Sequence, residues 1–152
     1  MSPVELIEYV AERLGNVRGQ VTFLGGAVVA LLVNEQGAKP PRPTNDVDVA
    51  IELSSRIGSY ELEEALRACG FHNAIEGPIC RFKHGAIILD VMPTDPAILG
   101  FSNRWYPAAI RSAQPYKLKS GITINLITPA CFLATKMEAF DSPTRDGHVI
   151  CM

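Results

Sequence analysis

The sequence lacks the signatures of several large protein classes. Its four cysteines form no CxxC pair, which argues against a zinc site and against a disulfide framework. No apolar run approaches the length needed to cross a membrane, and no charged segment followed by an apolar one opens the chain. We therefore expect a cytoplasmic protein that makes no membrane contact.

An excess of charge of one sign is also missing. The 152 residues carry 14 Lys and Arg against 16 Asp and Glu, which gives a formal net charge of −2. No overall basic field attracts nucleic acid, so the balance favours a small-molecule site over a broad DNA-binding face. Hydrophobic residues make up 47 % of the chain, which is enough to bury a core in one domain.

The hydrophobic periodicity predicts one α/β domain with a mixed sheet. Ser2 is the expected N-cap of a first helix, because Pro3 and Glu5 complete the usual start signal. Helices are predicted at 3–14, 27–33, 60–69, 103–113 and 128–140. Strands are predicted at 21–24, 46–53, 79–83, 86–91 and 122–127, with a further short strand between 113 and 119 and a proline-containing loop at 34–44. No internal repeat and no long linker divides the chain.

Three aspartates form the strongest candidate site. Asp46 and Asp48 lie two positions apart on a predicted strand, so their carboxylates share one face at a spacing of roughly 6–7 Å. Such like charges repel unless a cation or basic group separates them; the alternative is a solvated strand face. Asp90 ends a second apolar strand, either as a solvent-facing carboxylate or as a third ligand. Three carboxylates on adjacent strands suit a pair of Mg²⁺ or Mn²⁺ ions in phosphoryl displacement.

A glycine pair lies between a predicted strand and a predicted helix. At Gly25 and Gly26, backbone N–H groups at the helix start can meet phosphate oxygens, and the missing Cβ lets a triphosphate approach. The alternative is a tight strand-to-helix turn. The chain has no GxGxxG pattern and no Gly-Lys-Ser/Thr sequence after the pair, which excludes a Rossmann fingerprint and a P-loop.

Taken together, these segments resemble the DNA polymerase β-like nucleotidyltransferase superfamily. The similar segments are Phe23-Leu24-Gly25-Gly26-Ala27, Arg42-Pro43-Thr44-Asn45-Asp46-Val47-Asp48-Val49 and Leu89-Asp90-Val91. A further segment, Leu133-Ala134-Thr135-Lys136-Met137-Glu138-Ala139-Phe140, resembles a helix of the AbiEii/AbiGii toxin-type branch. The resemblance covers about residues 20–140 and is specific as a set.

The resemblance implies a short mixed sheet with helices packed mainly on one side. It also implies metal-dependent transfer of a nucleotide from a nucleoside triphosphate to a hydroxyl acceptor, an RNA or tRNA end or a protein, by the toxin of a toxin–antitoxin pair. Asp46 and Asp48 are then expected to hold the ion that bridges the triphosphate, and Asp90 to share a second ion with them and to accept the hydroxyl proton. The expected nucleotide-binding residues are Gly25, Gly26, Thr44 and Lys136.

Other interpretations stay open for several of these residues. Thr44 equally well ends the loop, and Lys136 equally well occupies a solvated helix position. Arg81 and Lys83 share a face of the strand next to Asp90, where contact with nucleotide or product is one interpretation and a solvated strand face is the favoured one. Tyr106 is interpreted as a packing residue rather than as a base-stacking one.

Two departures from the family pattern bear on function. The 19 residues between Gly26 and Asp46 are many for the superfamily, although this branch tolerates a proline-rich insert there. The acidic segment that follows the lysine helix in family members is missing after about residue 140, so we expect a C-terminally truncated single domain spanning 1–152.

Two rivals and one association surface follow from these departures. A catalytically idle nucleotide-binding or interaction module is the main alternative, and a metal-dependent phosphohydrolase is disfavoured because no histidine cluster accompanies the aspartates. We also expect self-association or a partner protein, because only part of the apolar stripe on the last helix can face the domain's own core. The stripe consists of Ala130, Leu133, Ala134, Met137 and Phe140.

Overall fold

Seven strands and five helices make up the part of the chain that the computed structural model describes, which is residues 1–33, 44–53, 56–77, 80–95 and 103–141. The strands are β1 (Val21–Leu24), β2 (Asp46–Ile51), β3 (His72–Asn73), β4 (Arg81–His84), β5 (Ile87–Pro93), β6 (Gln114–Lys117) and β7 (Thr123–Leu126). The helices are α1 (Pro3–Leu14), α2 (Val29–Leu32), α3 (Arg56–Ala68), α4 (Tyr106–Ser112) and α5 (Pro129–Asp141).

All seven strands belong to one sheet, in the order β3-β4-β5-β2-β1-β7-β6. Most neighbours are antiparallel, but β2 runs parallel to β5 and β1 runs parallel to β7. The parallel pair β2–β5 lies inside the sheet, and its register sets Asp48 opposite Asp90. The expected mixed α/β sheet is therefore confirmed.

The apolar face of β2 packs into the core beneath α1. Val47 and Val49 are fully buried, and α1 contacts β2. The start of α1 is the predicted capping box: the Glu5 backbone N–H donates to Ser2 Oγ over 3.2 Å, and the Ser2 N–H donates to Glu5 Oε2 over 2.8 Å. A capped helix with a buried apolar stripe thus anchors this side of the sheet.

A second helix contacts the sheet near the aspartates. Helix α4 touches β1 and β2 and packs against α5, and its Tyr106 is only 3 % exposed. The interpretation of Tyr106 as a packing residue is confirmed. Its phenol lies near enough to Asp48 and Asp90 that their charges, after burial itself, raise the pKa of Tyr106. Helices therefore contact both faces of the sheet.

Several element boundaries differ from those that the sequence predicts. The helix expected at 27–33 begins as a 3₁₀ turn, Gly26–Val28, and continues as the short α2. Helix α3 starts at Arg56, earlier than predicted, and the two-residue strand β3 was not predicted. The loop expected at 34–44 lies outside the described residues apart from Thr44, and so does the segment after 141.

The outer side of α5 is apolar. Leu133, Met137 and Phe140 are 61 %, 65 % and 66 % exposed, whereas Thr135 on the inner side is fully buried. Asn103 Nδ2 donates to the Thr135 carbonyl over 2.9 Å and fixes that inner side. The stripe expected on this helix is thus largely turned outward, and association through it stays a prediction. Within the described residues, no helix combines the length and the apolar character required to cross a membrane.

Candidate active site

The register of two parallel strands brings two carboxylates side by side. Asp48 on β2 pairs with Asp90 on β5, and Asp46 lies two residues before Asp48 on the same face. Neighbouring strands are about 4.8 Å apart, so the charges of Asp90 and Asp46 are near enough to act on Asp48. Asp48 and Asp90 are only 5 % and 2 % exposed, and Asp46 is half-buried.

Asp90 is held by an arginine from the adjacent strand. Arg81 on β4 lies opposite Asp90 in the antiparallel register. Its Nε donates to Asp90 Oδ1 over 2.9 Å and its Nη2 donates to Oδ2 over 3.0 Å, a two-point ion pair. The interpretation of Arg81 as part of a solvated surface is wrong, since its guanidinium neutralises a buried carboxylate. Lys83, two residues along, is exposed as expected.

The other two aspartates have oxygens without such partners. Oδ1 of Asp46 and Oδ1 of Asp48 are buried and accept no hydrogen bond from any described residue. Buried polar atoms are nearly always hydrogen-bonded, so two orphan oxygens on one strand face indicate a missing ligand. A cation can bind both oxygens, because an ionised carboxylate offers lone pairs and has no proton to donate.

The electrostatics of Asp48 agree with a missing cation. Burial, then the charge of Asp90, and then that of Asp46 raise the pKa of Asp48 to about 7, while Lys136 and Arg81 act in the opposite direction. Without a metal ion, the Asp48 carboxyl therefore changes its charge near neutral pH. A bound divalent ion would favour its ionised form.

Lys136 approaches the carboxylates from α5. Its positive charge acts on Asp48, and its Nζ lies 5.7 Å from the centre of the Phe132 ring. The side chain is half-buried rather than fully solvated. A lysine here supplies a compact positive charge beside the acidic group, which suits contact with a phosphate.

The two glycines of the turn have different structural reasons. Gly25 adopts φ 78° and ψ −169°, a region that essentially only glycine occupies, and a Cβ there would lie 2.7 Å from Cβ and Cγ of Asp48 and against its Oδ2. A Cβ on Gly26 would have no atom from elsewhere in the fold within 4 Å, and this residue is exposed. Packing therefore accounts for Gly25 but not for Gly26.

Thr44 fixes the entry to β2. The Asp46 backbone N–H donates to Thr44 Oγ1 over 3.1 Å, which holds the residue at the start of the acidic strand. The hydroxyl proton of Thr44 is not used by this bond, so the same side chain can donate to a ligand.

The donor set fits one type of metal site better than another. Among the residues that the structure describes, no three His, Cys, Asp or Glu side chains are grouped so that they alone could hold a metal ion. Mg²⁺ is commonly bound by one or two carboxylates, with substrate phosphates and water completing the shell. Asp46 and Asp48 supply the two carboxylates that such a site needs.

Comparison with known proteins supports the fold. No protein-family model matches the sequence, and no curated protein matches it. A solved structure that it resembles is an antigenic nucleotidyltransferase-like protein from Paracoccidioides brasiliensis, with a TM-score of 0.56 at 17 % identity over 87 % of this chain. The chain spans 63 % of the length of that protein. The fold is thus nucleotidyltransferase-like.

The turn geometry predicts unequal effects of substituting its two glycines. Gly25→Ala should lower the free energy of unfolding by about 2–4 kcal/mol, because it adds backbone strain and a contact with Asp48. Gly26→Ala is the matched control and should change it by less than about 1 kcal/mol. Urea denaturation measures both values, and equal losses would contradict the close packing of Gly25 against Asp48.

The raised pKa of Asp48 predicts a pH dependence of stability. Between the ordinary value of 3.8 and about 7, the folded protein holds a proton that the unfolded chain releases, so this group destabilises the fold as pH rises. The slope is at most about 1.4 kcal/mol per pH unit. In EDTA, the stability of Asp48→Asn relative to the parent should therefore rise between about pH 4 and pH 7 and level off above pH 7, as measured by urea denaturation. Parallel pH profiles for the two proteins would contradict the assignment.

Proposed function

We propose that this chain is a metal-dependent nucleotidyltransferase, which moves a nucleoside monophosphate from a nucleoside triphosphate to a hydroxyl acceptor. The observation that carries the proposal is the pair of buried oxygens on Asp46 and Asp48 that accept no hydrogen bond from the described residues. They lie on a strand face of a nucleotidyltransferase-like fold. Fold alone does not define an activity, so the proposed activity depends on this site.

Asp46 and Asp48 are the proposed ligands of Mg²⁺, or of Mn²⁺ in its place. When bound, the ion supplies charge neutralisation for the triphosphate and Lewis-acid activation at the reacting phosphorus. The two carboxylates set its position, because Asp46 is fixed through Thr44 and Asp48 is packed against Gly25. Little else is required of them chemically, since nucleotidyl transfer depends mainly on positioning and electrostatics.

Asp90 is the proposed acceptor of the proton. The acceptor hydroxyl forms a bond to the α-phosphorus, the bond to the bridging oxygen of the β-phosphate breaks, and pyrophosphate leaves. The hydroxyl proton passes to a carboxylate oxygen of Asp90, which keeps free lone pairs beyond those used by Arg81. The two-point ion pair holds this carboxylate in one orientation for that transfer.

Three further residues are proposed to contact the phosphates. Gly26 is exposed, and nothing in the fold occupies the space where its side chain would be, so a triphosphate can approach the main chain there. Lys136 brings a positive charge toward Asp48 from α5, and Thr44 retains a hydroxyl donor at the start of β2.

The acceptor and the biological role rest on the resemblance of the α5 segment to the AbiEii/AbiGii branch. That resemblance supports an RNA or tRNA end, or a protein hydroxyl, as acceptor, and a toxin role with an antitoxin partner. The exposed side chains of Leu133, Met137 and Phe140 offer a surface for such a partner or for a second copy of the chain.

One observation favours a second function, that of a catalytically idle nucleotide-binding module. Both oxygens of Asp90 are already engaged by Arg81, and the described residues contain no cluster of three metal-ligating side chains. A chain that binds nucleotide through Asp46 and Asp48 without completing the transfer would have these properties.

The proposed metal site predicts a ligand-dependent rise in stability. Mg²⁺ with a nucleoside triphosphate at about 100 times Kd should add about 2.7 kcal/mol, which corresponds to a Tm increase of about 5–10 °C. Asp46→Asn combined with Asp48→Asn should abolish the rise and keep the fold, because asparagine has nearly the same shape. Differential scanning fluorimetry measures this, and an unchanged response in the double variant would refute the site.

Incubation with Mg²⁺, each labelled nucleoside triphosphate and total RNA or total protein tests the transfer itself. An active enzyme attaches the label to a macromolecule and releases pyrophosphate, and Asp48→Asn abolishes both. Nucleotide-dependent stabilisation without label transfer, for every triphosphate and both acceptor pools, would favour the idle module.

The open space at Gly26 predicts a separable effect on nucleotide binding. Gly26→Val should weaken nucleotide binding at least tenfold, because its side chain fills the approach to the main chain, while Tm without ligand changes little. Isothermal titration calorimetry with a nucleoside triphosphate measures the change in Kd. If the variant binds as tightly as the parent, the turn is purely structural.

A further inference from the structure

The guanidinium of Arg81 binds both oxygens of Asp90, the carboxylate that a second divalent ion would have to use. We propose that Arg81 takes the place of that ion at Asp90, so that the nucleotide-free site binds a single divalent cation, between Asp46 and Asp48. This inference rests on the proposed metal site and specifies its stoichiometry. Arg81 is accordingly a positioning residue, which acts through Asp90.

The ion pair between Arg81 and Asp90 uses the whole carboxylate of Asp90. Nε and Nη2 of Arg81 each donate to a different oxygen of Asp90, over 2.9 Å and 3.0 Å, so the whole carboxylate is engaged. The Asp90 side chain is 3 % exposed and the Arg81 side chain 26 %, which shields the pair from water. A metal ion coordinated by Asp90 would lie within a few ångströms of this guanidinium, where the two positive charges repel strongly.

The aspartates on β2 differ from Asp90 on β5 in their hydrogen-bond partners. Asp46 and Asp48 present buried oxygens that accept no hydrogen bond from any described residue, whereas neither oxygen of Asp90 lacks a donor. A cation that enters the group therefore displaces no described donor from these oxygens of Asp46 and Asp48 but must compete with a charged donor at Asp90. The first ion is directed to β2 alone.

The charges of the group agree with this division. One divalent ion and the Arg81 guanidinium together match the charge of the three ionised carboxylates. Lys136 adds a further positive charge that acts on Asp48, which leaves the group attractive to an anionic triphosphate once the ion is bound. A second divalent ion would add positive charge where no described acceptor is left unpartnered.

The number of bound ions in the nucleotide-free protein tests the proposal. Electron paramagnetic resonance of free Mn²⁺ during titration of the full chain gives both stoichiometry and affinity. The parent should bind one Mn²⁺, and so should Lys83→Met, a matched control that removes a positive charge from the same face of β4. Arg81→Met should bind two, and Arg81→Lys, which keeps the charge, should bind one.

The double variant Arg81→Met/Asp90→Asn provides a test that leaves no buried charge without its partner and keeps the net charge of the group unchanged. If Asp90 is not a ligand of the first ion, this variant should bind one Mn²⁺ with a Kd within about threefold of the parent value. Asp48→Asn should weaken the same binding by tenfold or more. Circular dichroism verifies that each variant is folded.

The possible outcomes separate this inference from the metal site on which it rests. Two ions in the parent, one ion in folded Arg81→Met, or a tenfold weaker first ion in Arg81→Met/Asp90→Asn would overturn the role of Arg81 alone. No Mn²⁺ binding by the parent would overturn the metal site together with the inference. A single ion that depends on Asp48 but not on Asp90 supports both.

Discussion

The parallel pairing of β2 with β5 is the constraint on which the site depends. It sets Asp48 directly opposite Asp90 in a nearly dry part of the sheet, where like charges repel and water cannot screen them. A fold selected for stability alone would place apolar side chains there, as it does on the opposite face with Val47 and Val49. The neighbouring elements can be understood as answers to this unfavourable contact.

Each answer comes from a different part of the chain. β4 contributes Arg81, which neutralises Asp90 through two hydrogen bonds, and α5 contributes the charge of Lys136 near Asp48. What these groups leave uncompensated is concentrated on one strand, at the buried oxygens of Asp46 and Asp48. Among the described residues, the only buried side-chain oxygens or nitrogens that lack a hydrogen bond are these two, and destabilising charge concentrated in this way is typical of a functional site.

How far the sequence predicts this arrangement depends on the range of the interaction. The alternation around Asp46 and Asp48 predicts β2 and the face that both carboxylates share, because side-chain direction in a strand is a local property. The pairing of Arg81 with Asp90 was missed, because counting outward from the turn predicted at 84–85 pairs Arg81 with Ile88. The observed turn lies at Gly85 and Ala86, which moves the partner by two residues to Asp90. The β2–β5 register depends on distant packing, and no local pattern reveals it.

The close approach of Gly25 to Asp48 has a consequence for how the two halves of the site communicate. The backbone of the turn packs directly against this carboxylate, because glycine has no side chain to separate them. If the proposed triphosphate binds at Gly26 and displaces the turn, the displacement would reach the carboxylate of Asp48 directly. Nucleotide and metal affinities should for that reason be thermodynamically linked, each altering the other by the same factor.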